Sequence, residues 1–105
     1  MNQVTDAAVR EFVKSELPLI TTLLLKKVDI DDHSTLQELY EADDVAEMIE
    51  KYFVHFNVNP ADFIITNYFP WKTPFLFFRK PVNQDKTSLT IQMFIDSAKA
   101  GRWLY

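Results

Sequence analysis

Apolar residues recur at helical spacing in three stretches of the chain. The first holds Val9, Phe12, Val13 and Leu17, a stripe that predicts a helix with one buried face. Thr5 is placed to cap it by accepting a hydrogen bond from a free N–H of the first turn. Val4 and Val9 stand at the spacing of a hydrophobic staple. Pro18 closes the helix, because the residue before a proline avoids the α region. The second stripe runs Val45, Ile49, Tyr52, Phe56, with Met48 and Phe53 widening it. Asp43 or Asp44 is its expected N-cap, with Glu47 completing a capping box with Asp44. Acids there also suit the positive end of the helix dipole, and Asn57 is expected to help end the helix. The third stripe is Ile91, Phe94, Ile95 and Ala98. Thr90 is its expected cap, Leu89 and Phe94 fit a staple, and Gly101, the sole glycine, falls where a left-handed terminator is needed. Trp103 and Leu104 are expected to fold back onto the core.

The intervening segments are less periodic. Leu23, Leu24 and Leu25 form either a buried extended segment or a helical turn, a choice that periodicity does not make for so short a run. Residues 29–32 read as a solvated loop. Ser34 and Gln37 have capping-box spacing and predict a short helical turn running to Tyr40. Asn59-Pro60 is a further cap signal and predicts a short helix around Ala61 and Asp62, with a turn near Asn67. Phe75-Leu76-Phe77-Phe78 is a short apolar run between prolines and predicts a strand. Residues 82–86 read as a polar turn, and residues 88–90 as the return strand of a small hairpin. The expected fold class is mainly α, with a short β-hairpin before the C-terminal helix.

Composition narrows the function classes. A length of 105 residues with one glycine leaves no flexible linker, so residues 1–105 are expected to form a single domain. A hydrophobic share of 48% and an aromatic share of 14% argue for a packed core and against disorder. The absence of cysteine excludes disulfides, thiolate metal sites and cysteine nucleophiles. The N-terminus lacks a basic region followed by an apolar run, so no secretory signal is expected. The longest apolar stretch, residues 17–25, carries Pro18 and is too short to span a bilayer. A cytoplasmic, soluble protein is the expectation. The net charge is −4, and the acids cluster. Between Asp29 and Glu50 lie Asp31, Asp32, Glu38, Glu41, Asp43, Asp44 and Glu47, without a lysine or arginine. Such a block repels phosphate backbones and favours encounter with a basic protein surface.

No residue pattern calls for catalysis or metal binding. Asp43 and Asp44 read first as a helix cap with a solvated neighbour, and partner docking is compatible with that role. General acid–base chemistry would require a carboxyl in a desolvated pocket. Asp29, Asp31, Asp32 and His33 suggest a cation loop, but the glycine and glutamate that an EF-hand places sixth and twelfth are replaced by Ser34 and Tyr40. His33 and His55 lack a third ligand for zinc. The aromatic run of Phe63, Tyr68, Phe69, Trp71, Phe75, Phe77 and Phe78 is expected to build core beneath the hairpin, with an exposed groove for a partner or apolar ligand as the functional alternative.

The order of a leading helix, a long loop, Thr35-Leu36-Gln37-Glu38-Leu39, an acidic helix start and Phe56-Asn57-Val58 resembles acyl carrier proteins. Asn67-Tyr68-Phe69-Pro70 and Ala98-Lys99-Ala100-Gly101-Arg102-Trp103 resemble, more narrowly, a family of short bacterial proteins of unknown function with an acyl-carrier-like core. That resemblance covers nearly the whole chain. It implies an acyl-carrier-like helical bundle. Acyl carriers hold phosphopantetheine on a serine at the start of the second helix, and the matching position here is Asp43 or Asp44. Neither can carry the group, so no cofactor is expected. The resemblance and the charge clustering together imply a non-enzymatic binding or adaptor protein, presenting Glu41, Asp43, Asp44, Glu47 and Glu50 to a basic protein partner. The alternative is a small-ligand protein holding an acyl chain or lipid between its helices. Neither nucleic acid nor membrane is an expected partner.

Overall fold

The computed structural model describes residues 4–18, 30–72 and 84–105. The described part is mainly helical, with four helices: α1 (Asp6–Glu16), α2 (Leu36–Leu39), α3 (Ala42–His55) and α4 (Ile91–Ala100). A 3₁₀ turn spans Ile65–Asn67. The leucines at 23–25 and the apolar run at 75–78 lie outside the described residues.

Both ends of α1 follow the sequence. The Thr5 side chain accepts from the Ala8 N–H at 3.1 Å, and Leu17, extended ahead of Pro18, ends the helix. Val9 and Val13 are fully buried. The α4 start is equally local, with Thr90 Oγ1 accepting from the Met93 N–H at 3.3 Å. Its end is set by Gly101 at φ +81°, a left-handed conformation that costs glycine nothing. There the Arg102 N–H returns to the Ser97 carbonyl at 3.2 Å, as in a Schellman close.

The three apolar stripes meet in one core. α1 packs on α4 and on α3. Tyr52 of α3 and Phe94 of α4 are both fully buried, with ring centroids 4.9 Å apart. The Tyr52 hydroxyl donates to the Phe94 carbonyl at 2.6 Å. Trp103 does fold back, 3% exposed, whereas Leu104 stays 44% exposed. A single parallel bridge between Asn59 and Arg102 ties the tail to the loop after α3.

Four local expectations are corrected. The cap of α3 is Glu41, with no side-chain hydrogen bond, and Asp43 and Asp44 fall inside its first turn. Thr35 rather than Ser34 precedes α2, because the Ser34 hydroxyl is engaged with Asp31 Oδ1 at 3.2 Å. No helix forms at Ala61 and Asp62. Asn59 Oδ1 does accept from the Ala61 N–H at 2.9 Å, but Ala61 takes φ +52°, which cannot propagate a right-handed helix. The return half of the predicted hairpin, residues 88–90, is not a strand, and no strand occurs among the described residues. The Leu89 carbonyl accepts from the Leu36 N–H at 2.9 Å, so the segment bonds to the start of α2 instead of to another strand.

Candidate functional site

The acids singled out by sequence occupy α3 and its cap. Glu41, Asp43, Glu47 and Glu50 are exposed and Asp44 is half-buried. Helical spacing puts Asp43, Glu47 and Glu50 on one side, opposite the buried Val45, Met48, Ile49 and Tyr52. The structure thus brings these carboxylates onto one surface.

It also supplies a cation there. Lys51 Nζ lies 3.2 Å from Glu16 Oε2 and 3.3 Å from Glu47 Oε1. Hydrogen bonding to Glu16, then to Glu47, raises its pKa. The Glu16 contact joins residues 35 apart in sequence, so only the Glu47 pair, at i and i+4, was readable in advance. Glu38, Glu41, Asp43, Asp44 and Glu50 make no ion pair among the described residues.

At the amino end of this surface lies a groove of about 480 Å³, open to solvent, with residues 37–42 on one side and 69–71 on the other. Tyr40, Phe69 and Trp71 supply aromatic walls, and Glu38 and Glu41 supply carboxylates. Burial pushes the Tyr40 phenol pKa up, so it remains a neutral hydroxyl. The aromatic run is therefore divided. Phe63 and Tyr68 stack at 5.4 Å and join Trp103, whose indole N–H donates to the Tyr68 hydroxyl at 3.0 Å. Phe69 and Trp71, half-buried, face the groove. Phe75, Phe77 and Phe78 lie outside the described residues.

Gln37 lines this groove and ties it to residues 87–89, a role that sequence reasoning missed. It is 5% exposed. Its side-chain oxygen accepts from the Leu89 N–H at 2.7 Å, and its amide donates to the Thr87 carbonyl at 2.7 Å. A polar residue beside Leu36 in a short apolar element was the available signal, but its partners lie 50 and 52 residues away. Next to Trp71 in the chain, Lys72 is bracketed by Gln84, which donates to its carbonyl at 2.9 Å and accepts from its N–H at 3.3 Å.

The other candidates have structural partners. The Asp32 carboxylate accepts from Nε and Nη2 of Arg10, each at 2.8 Å. Asp31 accepts from the His33 N–H at 2.8 Å. His55 stacks on Phe12 at 4.6 Å. Among the described residues no group of three or more His, Cys, Asp or Glu is arranged to hold a metal. No helix among them is long and apolar enough to cross a membrane.

Compared with known families, residues 1–105 match the model described as "Protein of unknown function (DUF1493)". No curated protein and no solved structure matches the chain.

Proposed function

The chain belongs to the DUF1493 family of proteins of unknown function, and from that premise we propose that it is a non-enzymatic binding protein that docks a basic protein partner through α3. The observation that carries this reading is the sidedness of α3, with Asp43, Glu47 and Glu50 in water and Val45, Met48, Ile49 and Tyr52 buried. Steering and register of a complementary basic surface are what such a face provides. Lys51 neutralises part of its carboxyl-terminal half, so the strongest uncompensated charge lies toward Glu41 and Asp43.

The acyl-carrier resemblance is the second strand of the proposal. The order of a leading helix, a short α2 and an acid-led α3 supports an acyl-carrier-like bundle, and the resemblance to short bacterial proteins extends the proposal to the bacterial cytoplasm. Asp43 and Asp44 sit in the first turn of α3, where a carrier has its serine, and a carboxylate there cannot bear phosphopantetheine. The protein would recognise without carrying cargo. An acyl chain held between helices has weaker support, because Val9, Val13, Tyr52, Phe94 and Ile95, each at most 1% exposed, pack where it would lie.

Affinity capture at low salt from the native host tests the proposal. Glu47→Lys with Glu50→Lys is expected to abolish capture of the partner, and raised salt is expected to weaken capture by the wild type as screening increases. Capture that survives both changes would dispose of the acidic-face reading. A co-purifying lipid in native mass spectrometry would favour the small-ligand reading.

A further inference from the structure

We propose that the groove between residues 37–42 and 69–71 receives an arginine side chain of the basic partner. The inference rests on the docking reading above and names the contact that would anchor it. Two features of the groove select this occupant. Its walls include Tyr40, Phe69 and Trp71, and its charged groups are the carboxylates of Glu38 and Glu41. An apolar ligand would leave those carboxylates unmatched. A guanidinium satisfies both features, since it stacks on aromatic faces and forks onto a carboxylate.

Glu38 and Glu41 make no ion pair among the described residues, so neither charge is already spent on an internal cation. The volume of about 480 Å³ lies in the range of small-molecule pockets and accommodates an arginine side chain with the backbone on either side. The groove adjoins the acid-rich start of α3 through Glu41, the residue that caps the helix, and Ala42. A partner steered onto α3 would therefore bring its cationic side chains to the groove mouth. Arginine is also a residue that anchors protein interfaces when its side chain fills a pocket.

The test is an amide and indole NMR titration of the full chain with Nα-acetylarginine amide, with Nα-acetylcitrulline amide as the uncharged isostere. The expected result is saturable perturbation of Tyr40, Glu41 and the Trp71 indole by the arginine compound in the millimolar range, without an equivalent response to citrulline. Glu41→Gln, at an exposed position that leaves the core untouched, is expected to weaken binding roughly two- to fivefold. Trp71→Ala, read on the Tyr40 and Glu41 amides, is expected to weaken it roughly two- to thirtyfold.

Equal responses to arginine and citrulline would overturn the proposal. So would perturbation confined to Glu47 and Glu50, an outcome that leaves docking on α3 standing. Concentration-dependent shifts at Trp71 without added ligand would assign the groove to a second copy of the chain and overturn it as well. Loss of partner capture in the Glu47/Glu50 reversal reads the docking proposal independently, so the two failures are separable.

Discussion

Gln37 and Tyr52 both use a buried polar side chain to tie distant parts of the chain together, yet removing their polar atoms has different consequences. The Tyr52 hydroxyl donates to the Phe94 carbonyl, which also lies inside α4 and keeps its helical partner when the hydroxyl is lost. Tyr52→Phe therefore removes one hydrogen bond and orphans nothing, a loss of about 1 kcal/mol. Gln37 is different, because its oxygen accepts from the N–H of Leu89, a residue with no exposure to water. Gln37→Leu leaves that donor unsatisfied, which costs about 1–3 kcal/mol. Urea unfolding of the two variants is expected to rank Gln37→Leu as the more damaging. The reverse order would mean that the Leu89 N–H finds another partner once Gln37 is replaced.

At the scale of elements, helix ends set by a side-chain cap or a glycine were legible, whereas the starts of α2 and α3, which carry no side-chain cap, were not. Thr5, Thr90 and Gly101 act within a few residues of themselves, so the pattern around each was sufficient. Pairing is a different matter. The Ser88–Thr90 segment has the composition of an extended strand, but its neighbour is the start of α2, through Leu36 and Leu89, and composition does not say which segment lies alongside. The start of α4, capped locally by Thr90, also carries a long-range tie of this kind. Its Gln92 N–H donates to the Asp32 carbonyl at 2.9 Å, while the Asp32 carboxylate is gripped by Arg10 of α1. Asp32 thereby links α1 to α4. The Arg10 hydrogen bonds hold its carboxyl pKa below the ordinary carboxylate value. The proton is thus bound more weakly in the folded state than in the unfolded one. The stabilisation is fully present above the unfolded aspartate pKa, about 3.9, and is lost as pH falls through the lower folded value. Thermal unfolding followed from neutral pH down to pH values below that threshold is expected to show Asp32→Asn less stable than wild type at neutrality. The difference between the two should shrink toward the acid end. A difference that stayed constant with pH would show that the pair contributes through shape and not through charge.

For the whole molecule, burial and docking divide α3 between them. The inward stripe was readable because burial imposes helical periodicity on the sequence. The acids were readable as a cluster, but the groove beside them was not, since it joins residues 37–42 to residues 69–71 and no periodicity relates the two. Lys51 was legible beside Glu47 at i and i+4 but not as a bridge to α1, because its Glu16 partner lies 35 residues away. This division makes recognition separable from stability. Phe94 contacts the rings of Tyr52 and Trp103 at 4.9 and 5.3 Å, and Phe94→Ala is expected to cost about 3–5 kcal/mol, a large share of the roughly 5–15 kcal/mol that a domain possesses. Glu47 and Glu50 are exposed, and exposed substitutions usually stay within about 0.5 kcal/mol. Glu47→Lys does remove one partner of Lys51, but Glu16 remains. The Glu47/Glu50 reversal should therefore unfold close to the wild-type urea midpoint while losing its partner, whereas Phe94→Ala should lower the midpoint strongly. Were the reversal to lower the midpoint as far as Phe94→Ala, lost capture would reflect lost fold, and the acidic side of α3 would have no claim to recognition.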